Sequence, residues 1–280
     1  MALGVCIYCG QSAGFLRRKH RECEEKHHVG WEQMIQLSKN AALGESPSDG
    51  LIQQLEVLAK QSFIPTWRVR EAMLAGWEQA VSYFLEDGNL DPHEEAQLVK
   101  FARDFNFTRE ELNKNGFHSM LIKGAVLREL MEGKCPNRFQ PTGRLPFNFQ
   151  KNESLIWAFD NVRYYEEKTR REYVGGSHGV SVRLAKGLYY RVGGFKGHPV
   201  EITEKVYVDT GILAVTTKHL YFHGSSKIFR IRWNKIVSFM PYSDGIGVQK
   251  DAARAKPQFF ITGDGWFTYN LVTNVANLDN

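Results

Sequence analysis

Apolar positions in the first half of the chain recur every three or four residues, and in the last third every two. From Arg70 onward, Met73, Leu74, Trp77, Val81 and Phe84 keep the helical spacing. Farther along, Leu220 and Phe222 alternate with His219, Tyr221 and His223. Phe229, Ile231 and Trp233 alternate with Arg230 and Arg232. Such alternation is what a half-buried antiparallel sheet demands. It predicts strands near 180–185, 188–192, 200–208, 211–217, 219–223, 227–233, 235–240, 245–249 and 257–261. Turn signals separate them, among them Gly193-Gly194, Asp209-Thr210-Gly211 and Ser243-Asp244-Gly245. The last stretch returns to a helical period, with Phe267, Leu271, Val275 and Leu278 on one stripe. Ser154 to Tyr173 also reads as a helix, its stripe being Ile156, Phe159, Val162 and Tyr164 or Tyr165.

These patterns divide the chain into a small knuckle with a helix (1–45), a helical bundle (50–135), a proline-bearing linker (136–153), and a helix followed by an antiparallel β domain (154–280). The fold class expected is α+β and multidomain, with a β-barrel or sandwich closed by a C-terminal helix. Within the bundle, Asp91, Pro92 and Glu94 form a capping box at a helix start, and Thr108 with Glu111 forms a second. Asp87, Asn89 and Asp91 match the opening of a calcium loop. Pro92 then stands where glycine is required, and Leu98 where glutamate is required, so a turn and helix start explain the stretch better.

The composition, 42% hydrophobic and 24% charged over 280 residues, supports a large core. No apolar run is long enough to span a membrane, and the opening MALGVCIYCG lacks the pattern of a signal peptide. Four cysteines in a chain this long do not make a disulfide scaffold, which points to a reducing, cytoplasmic setting. The net charge of +5 is uneven: residues 151–280 carry 18 basic and 12 acidic side chains, against 12 and 14 in residues 49–150. A basic excess there suits an acidic protein, anionic lipid or nucleic acid.

The sharpest chemistry lies at the start. Cys6 and Cys9 form a C-x2-C turn closed by Gly10, and His20 and Cys23 follow three positions apart on a helical stretch. Two ligands on a turn and two on a helix face make a tetrahedral Cys3His site for a structural zinc ion. His27, one turn beyond Cys23, is a rival fourth ligand, and His28 a weaker one. Nearby Arg17, Arg18, Lys19 and Arg21, with Phe15 or Trp31, could touch nucleic acid, but Glu22, Glu24 and Glu25 oppose it.

Two stretches resemble known families. The acidic turn from Asp87-Gly88 through Glu94-Glu95 resembles the helix junction of TerB-like tellurite-resistance domains; that resemblance implies a helical bundle. The run from Gly211 to Phe239 resembles bacterial PH-like and GRAM-like domains, carried by Thr216, Thr217, Lys218, Tyr221, Phe222, Lys227, Arg230, Lys235 and Ile236. It implies a binding module rather than catalysis. The company such domains keep suggests a bacterial stress-response or defence setting.

No phosphate-binding loop, zinc-protease helix, nucleophile elbow or dinucleotide fingerprint occurs. The glycine cluster from Gly175 to Gly179 reads as a turn. Asp160, Glu166 and Lys168 fit a nuclease pattern only if they sit on strands. The function expected is therefore a non-enzymatic adaptor with a structural zinc ion, at most peripheral to a membrane. It would bind a protein partner or an anionic lipid surface through Lys218, Lys227, Arg230 and Arg232. Nucleic-acid binding through the knuckle is the alternative.

Overall fold

The structure is a computed structural model that describes residues 3–15, 17–141, 143–177, 180–185, 188–192, 195–253 and 255–278, with backbone only for the strand residues among 170–202 and for residues 3 and 15. It divides into two compact units, Met1–Arg138 and Phe139–Asn280.

The first unit opens with a hairpin, β1 (Leu3–Val5) and β2 (Ser12–Phe15), followed by six helices: α1 (Arg21–Ala42), α2 (Leu51–Gln61), α3 (Val69–Phe84), α4 (Pro92–Asp104), α5 (Arg109–Leu112) and α6 (Phe117–Met131). Helix α1 buries Met34, Ile35, Ser38, Ala41 and Ala42, chiefly against α3. The two backbones approach closely at Gly76, where a Cβ would lie 2.5 Å from that of Ser38. The helix that follows the cysteine turn is thus part of the bundle core, which also holds Met73, Trp77, Val81 and Phe101. Both capping boxes form. Asp91 accepts from His93 N at 2.7 Å while Glu94 accepts from Asp91 N at 2.9 Å; Thr108 and Glu111 exchange the equivalent bonds. Glu95 is bonded by Arg128, whose guanidinium also reaches Leu90 O at 3.0 Å, and by Arg138. Asp87 accepts from Asn89 N at 2.9 Å, so the acidic turn spends these carboxylates on a turn, a cap and ion pairs.

The second unit is a curled seven-stranded antiparallel sheet in the order β8-β7-β6-β3-β11-β10-β9. Its strands are β3 (Leu155–Ser177), β6 (Phe195–Thr216), β7 (His219–Gly224), β8 (Ile228–Arg232), β9 (Ile236–Tyr242), β10 (Gly245–Lys250) and β11 (Gln258–Ile261). A separate hairpin, β4 (Val180–Ala185) with β5 (Leu188–Val192), leaves from the far ends of β3 and β6. The last helix, α7 (Gly265–Ala276), buries Phe267, Leu271, Val272 and Val275, and Phe267 lies 4.9 Å from the Trp157 ring.

Two expectations are overturned. Residues 154–173 are not a helix. From Leu155 on they belong to β3, paired to β6 from Leu155↔Thr216 to Ser177↔Phe195. A bulge at Asn161, with φ of 56°, shifts the register between Phe159 and Val162. The inserted residue stretches a spacing of two into a spacing of three, which imitates helical periodicity. The second correction lies opposite. The predicted turn at Asp209-Thr210-Gly211 is continuous strand, and Gly211 pairs with Val162 beside the bulge. With β3 a strand, the nuclease pattern has the right backbone but not the geometry. Asp160 is exposed, Glu166 accepts from the Tyr164 hydroxyl at 2.7 Å, and neither belongs to a ligand cluster among the described residues. Of the glycine cluster, 175–177 end β3, while His178 and Gly179 lie outside the described residues.

Asp209, buried in β6, fixes the β7–β8 turn. Its carboxylate accepts from Ser226 N at 2.7 Å, Lys227 N at 2.9 Å, Ser225 Oγ at 3.0 Å and Thr210 N at 2.8 Å. The Ser226 amide leads in holding its pKa at about 2, against 3.8 for an ordinary aspartate. A depressed carboxylate stabilises the fold above its unfolded pKa and loses that contribution as pH falls through the folded one. Asp209→Asn should therefore lower the Tm at neutral pH, and the gap to the parent should close between about pH 4 and about pH 2. A pH series of thermal melts measures this; a gap unchanged across that window would contradict it.

Candidate metal centre and basic seam

The hairpin loop carries Cys6 and Cys9, tied by Cys6 N to Gln11 O at 2.8 Å and Gly10 N to Cys6 O at 2.9 Å. Gly10 takes φ of 74°, a left-handed conformation that closes the turn at no steric cost. His20 is the N-cap of α1 and Cys23 lies in its first turn. The imidazole makes no capping bond. Its Nδ1 instead lies 3.4 Å from Cys9 Sγ and 3.6 Å from Cys23 Sγ, and its Nε2 is 3.0 Å from Ser12 O. The Ser12 carbonyl can only accept, so Nε2 carries the proton and Nδ1 presents its lone pair to the sulfurs.

The ligating atoms of Cys6, Cys9, His20 and Cys23 all lie within 4.8 Å of one another. Ordinary zinc–sulfur and zinc–nitrogen bonds in a tetrahedron separate nitrogen from sulfur by about 3.6 Å, so the two contacts at Nδ1 have the length of tetrahedron edges. The donor set therefore fits a zinc ion. Burial opposes ionisation of Cys6, but the amides of Cys9, His20 and Tyr8 outweigh it and bring its pKa down to about 6. Burial, with the Cys9 and Cys6 sulfurs, pushes Cys23 up to about 11. A cation among the sulfurs removes that conflict. Among the described residues this is the one metal-ligating group of three or more His, Cys, Asp or Glu side chains. His27 is not in it, because its ring packs on Tyr8 at 4.9 Å; His28 is exposed.

Of the basic residues singled out in the sheet unit, Lys227, Arg230 and Arg232 come together along β8. They line a concavity of about 580 Å³ in an open seam beside β8, an edge strand of the sheet, joined by Lys235 and Lys250. Glu166, 3.7 Å from Lys227 Nζ, is the one carboxylate in its lining. Lys218 does not join them. Its ammonium bonds Lys151 O at 3.1 Å, and it lines a second concavity with Arg232 and Asn277.

A buried network braces this corner and has no counterpart in the sequence reading. The Glu153 carboxylate accepts from the Thr216 hydroxyl and from Tyr221 Oη at 2.9 Å, and meets His219 Nδ1 at 2.9 Å. Burial raises the Glu153 pKa, but these bonds and the Gln150 amide outweigh it and hold it below the usual range. Thr216 and Tyr221, two of the residues that carry the PH-like resemblance, thus serve the turn between β6 and β7. Glu153 lies 66 residues before His219 in the chain, so no local pattern could have linked them. In the walls of the basic concavity, His219 Nε2 and Gln258 Oε1 are buried without a hydrogen-bond partner among the described residues.

No family model matches the chain, and no curated protein is similar to it at a significant level.

Purified chain should carry one zinc ion, lost in Cys6→Ser and Cys23→Ser and kept in His27→Ala; elemental analysis of the untagged protein measures it. Loss in His27→Ala with retention in Cys23→Ser would contradict the ligand set. The hairpin buries only Cys6 and Ala13 among its described side chains, so chelation should free it while the bundle, with its own core, stays folded. Hydrogen exchange would show fast amides confined to residues 3–19.

Proposed function

We propose that this chain is a non-enzymatic adaptor: a structural zinc ion locks its N-terminal hairpin to a helical unit, and its sheet unit recruits an anionic partner, either a protein or a membrane face. The observation that carries the reading is the gathering of Lys227, Arg230, Arg232, Lys235 and Lys250 around one concavity that holds a single carboxylate. Five like charges near one another cost free energy unless a partner of opposite sign is at hand. Within this reading the zinc has a closed shell of four protein ligands, which suits structure rather than catalysis. The sheet unit is read as a PH-like or GRAM-like module, supported by its strand order and by the helix that packs on Trp157 and Phe159 after the last strand. The helical unit is read as TerB-like, on its acidic turn between α3 and α4. Nucleic-acid binding through the knuckle has less support: Lys19 is paired with Glu24, and Trp31 is covered by the Arg68 guanidinium at 4.1 Å.

Each basic residue near an anionic surface contributes about 1 kcal/mol. Arg230→Glu with Arg232→Glu should weaken binding to anionic vesicles or to polyglutamate by about 30-fold or more, and added salt should weaken the parent. Vesicle sedimentation and polyglutamate titration measure this. Binding to neither probe, or binding indifferent to salt and to the double substitution, would overturn the reading.

A further inference from the structure

The basic concavity is walled by the edge of a sheet. Six consecutive residues, 227–232, line it, and they include the whole of β8. That strand stands at the end of the sheet order, so its outer row of N–H and C=O groups has no described strand beside it. An open row of this kind is a template for another strand.

The two faces of β8 differ in chemistry. Arg230 and Arg232 lie on one face, opposite Tyr221 and His219 of β7. Phe229 and Ile231 lie on the other, where Phe229 meets the rings of Tyr164 at 5.3 Å and Phe222 at 5.5 Å. Lys227, Lys235 and Lys250 complete the lining. A strand laid beside β8 would have its backbone met by the edge. One row of its side chains would fall beside the two arginines and the alternate row beside Phe229 and Ile231. Cations on an edge repel basic strands, and they admit an acidic one.

We infer that the seam takes an extended acidic segment of another protein, with acidic and apolar residues alternating, which adds to the sheet as a strand beside β8. This rests on the proposed recruiting role and commits it to a protein partner. A lipid headgroup would satisfy the cations but has no use for the row of backbone groups. The five residues of β8 span about 17 Å, so a core of about five partner residues suffices.

The test uses the full chain and a labelled nonapeptide of alternating Glu and Val with blocked ends. Two further versions carry N-methyl groups on all the Glu or on all the Val residues. In a strand, alternate N–H groups point to opposite edges. One methylated version should therefore lose affinity by about tenfold or more in fluorescence anisotropy, and the other should bind like the parent peptide. Arg230→Gln with Arg232→Gln should weaken the parent peptide, with an unchanged Tm as the folding control, and an alternating Lys and Val peptide should not bind. Equal binding of both methylated versions, lost in the arginine variant, would overturn strand addition and leave the anionic recruiting role standing. Capture by anionic vesicles without peptide binding would overturn the inference in favour of a membrane face. Binding to neither would overturn the inference and the recruiting role together.

Discussion

Three sulfurs and an imidazole nitrogen within 4.8 Å of one another cannot all serve as electron-pair donors unless a cation sits among them. The N-terminal hairpin meets the start of α1 at that cluster. The hairpin leaves Val5 and Ile7 exposed and buries only Cys6 and Ala13 among its described side chains, and its loop amides are aimed at the Cys6 sulfur. His20 gives up its capping role at the start of α1 to face Cys9 and Cys23. Because α1 then runs on into the bundle and packs on α3, what the cluster holds is held to the whole helical unit.

In the sheet unit the corresponding constraint is the open seam. A seven-stranded sheet that curls without closing leaves two edges, and both must be kept from indiscriminate pairing. At β8 the means is charge. The turn that presents Lys227 is pinned by buried Asp209, and the corner beneath Arg232 is braced by Glu153, Thr216 and His219.

The alternating strands were legible in the sequence because each has one wet face, and Phe222, Phe229 and Ile231 sit where the period of two put them. The capping boxes were legible for the same local reason. Strand β3 was not. Its bulge at Asn161 disguises the period, and its second half, rich in Glu, Lys and Arg, has the composition of an exposed helix. Only pairing with β6, brought in from far along the chain, makes it a strand, which is tertiary context overriding propensity. The clustering of Cys6, Cys9, His20 and Cys23 was legible from spacing, whereas the packing of His27 on Tyr8 was not. The gathering of Lys227, Arg230 and Arg232 followed from one strand. The separation of Lys218, and the part of Glu153, needed the folded chain.

X-ray absorption at the zinc edge of the purified protein tests the central claim most directly. Three sulfurs at about 2.3 Å and one nitrogen at about 2.0 Å are expected around the metal. Four sulfurs, a shell of nitrogen and oxygen only, or no metal in reduced and unchelated protein would contradict it.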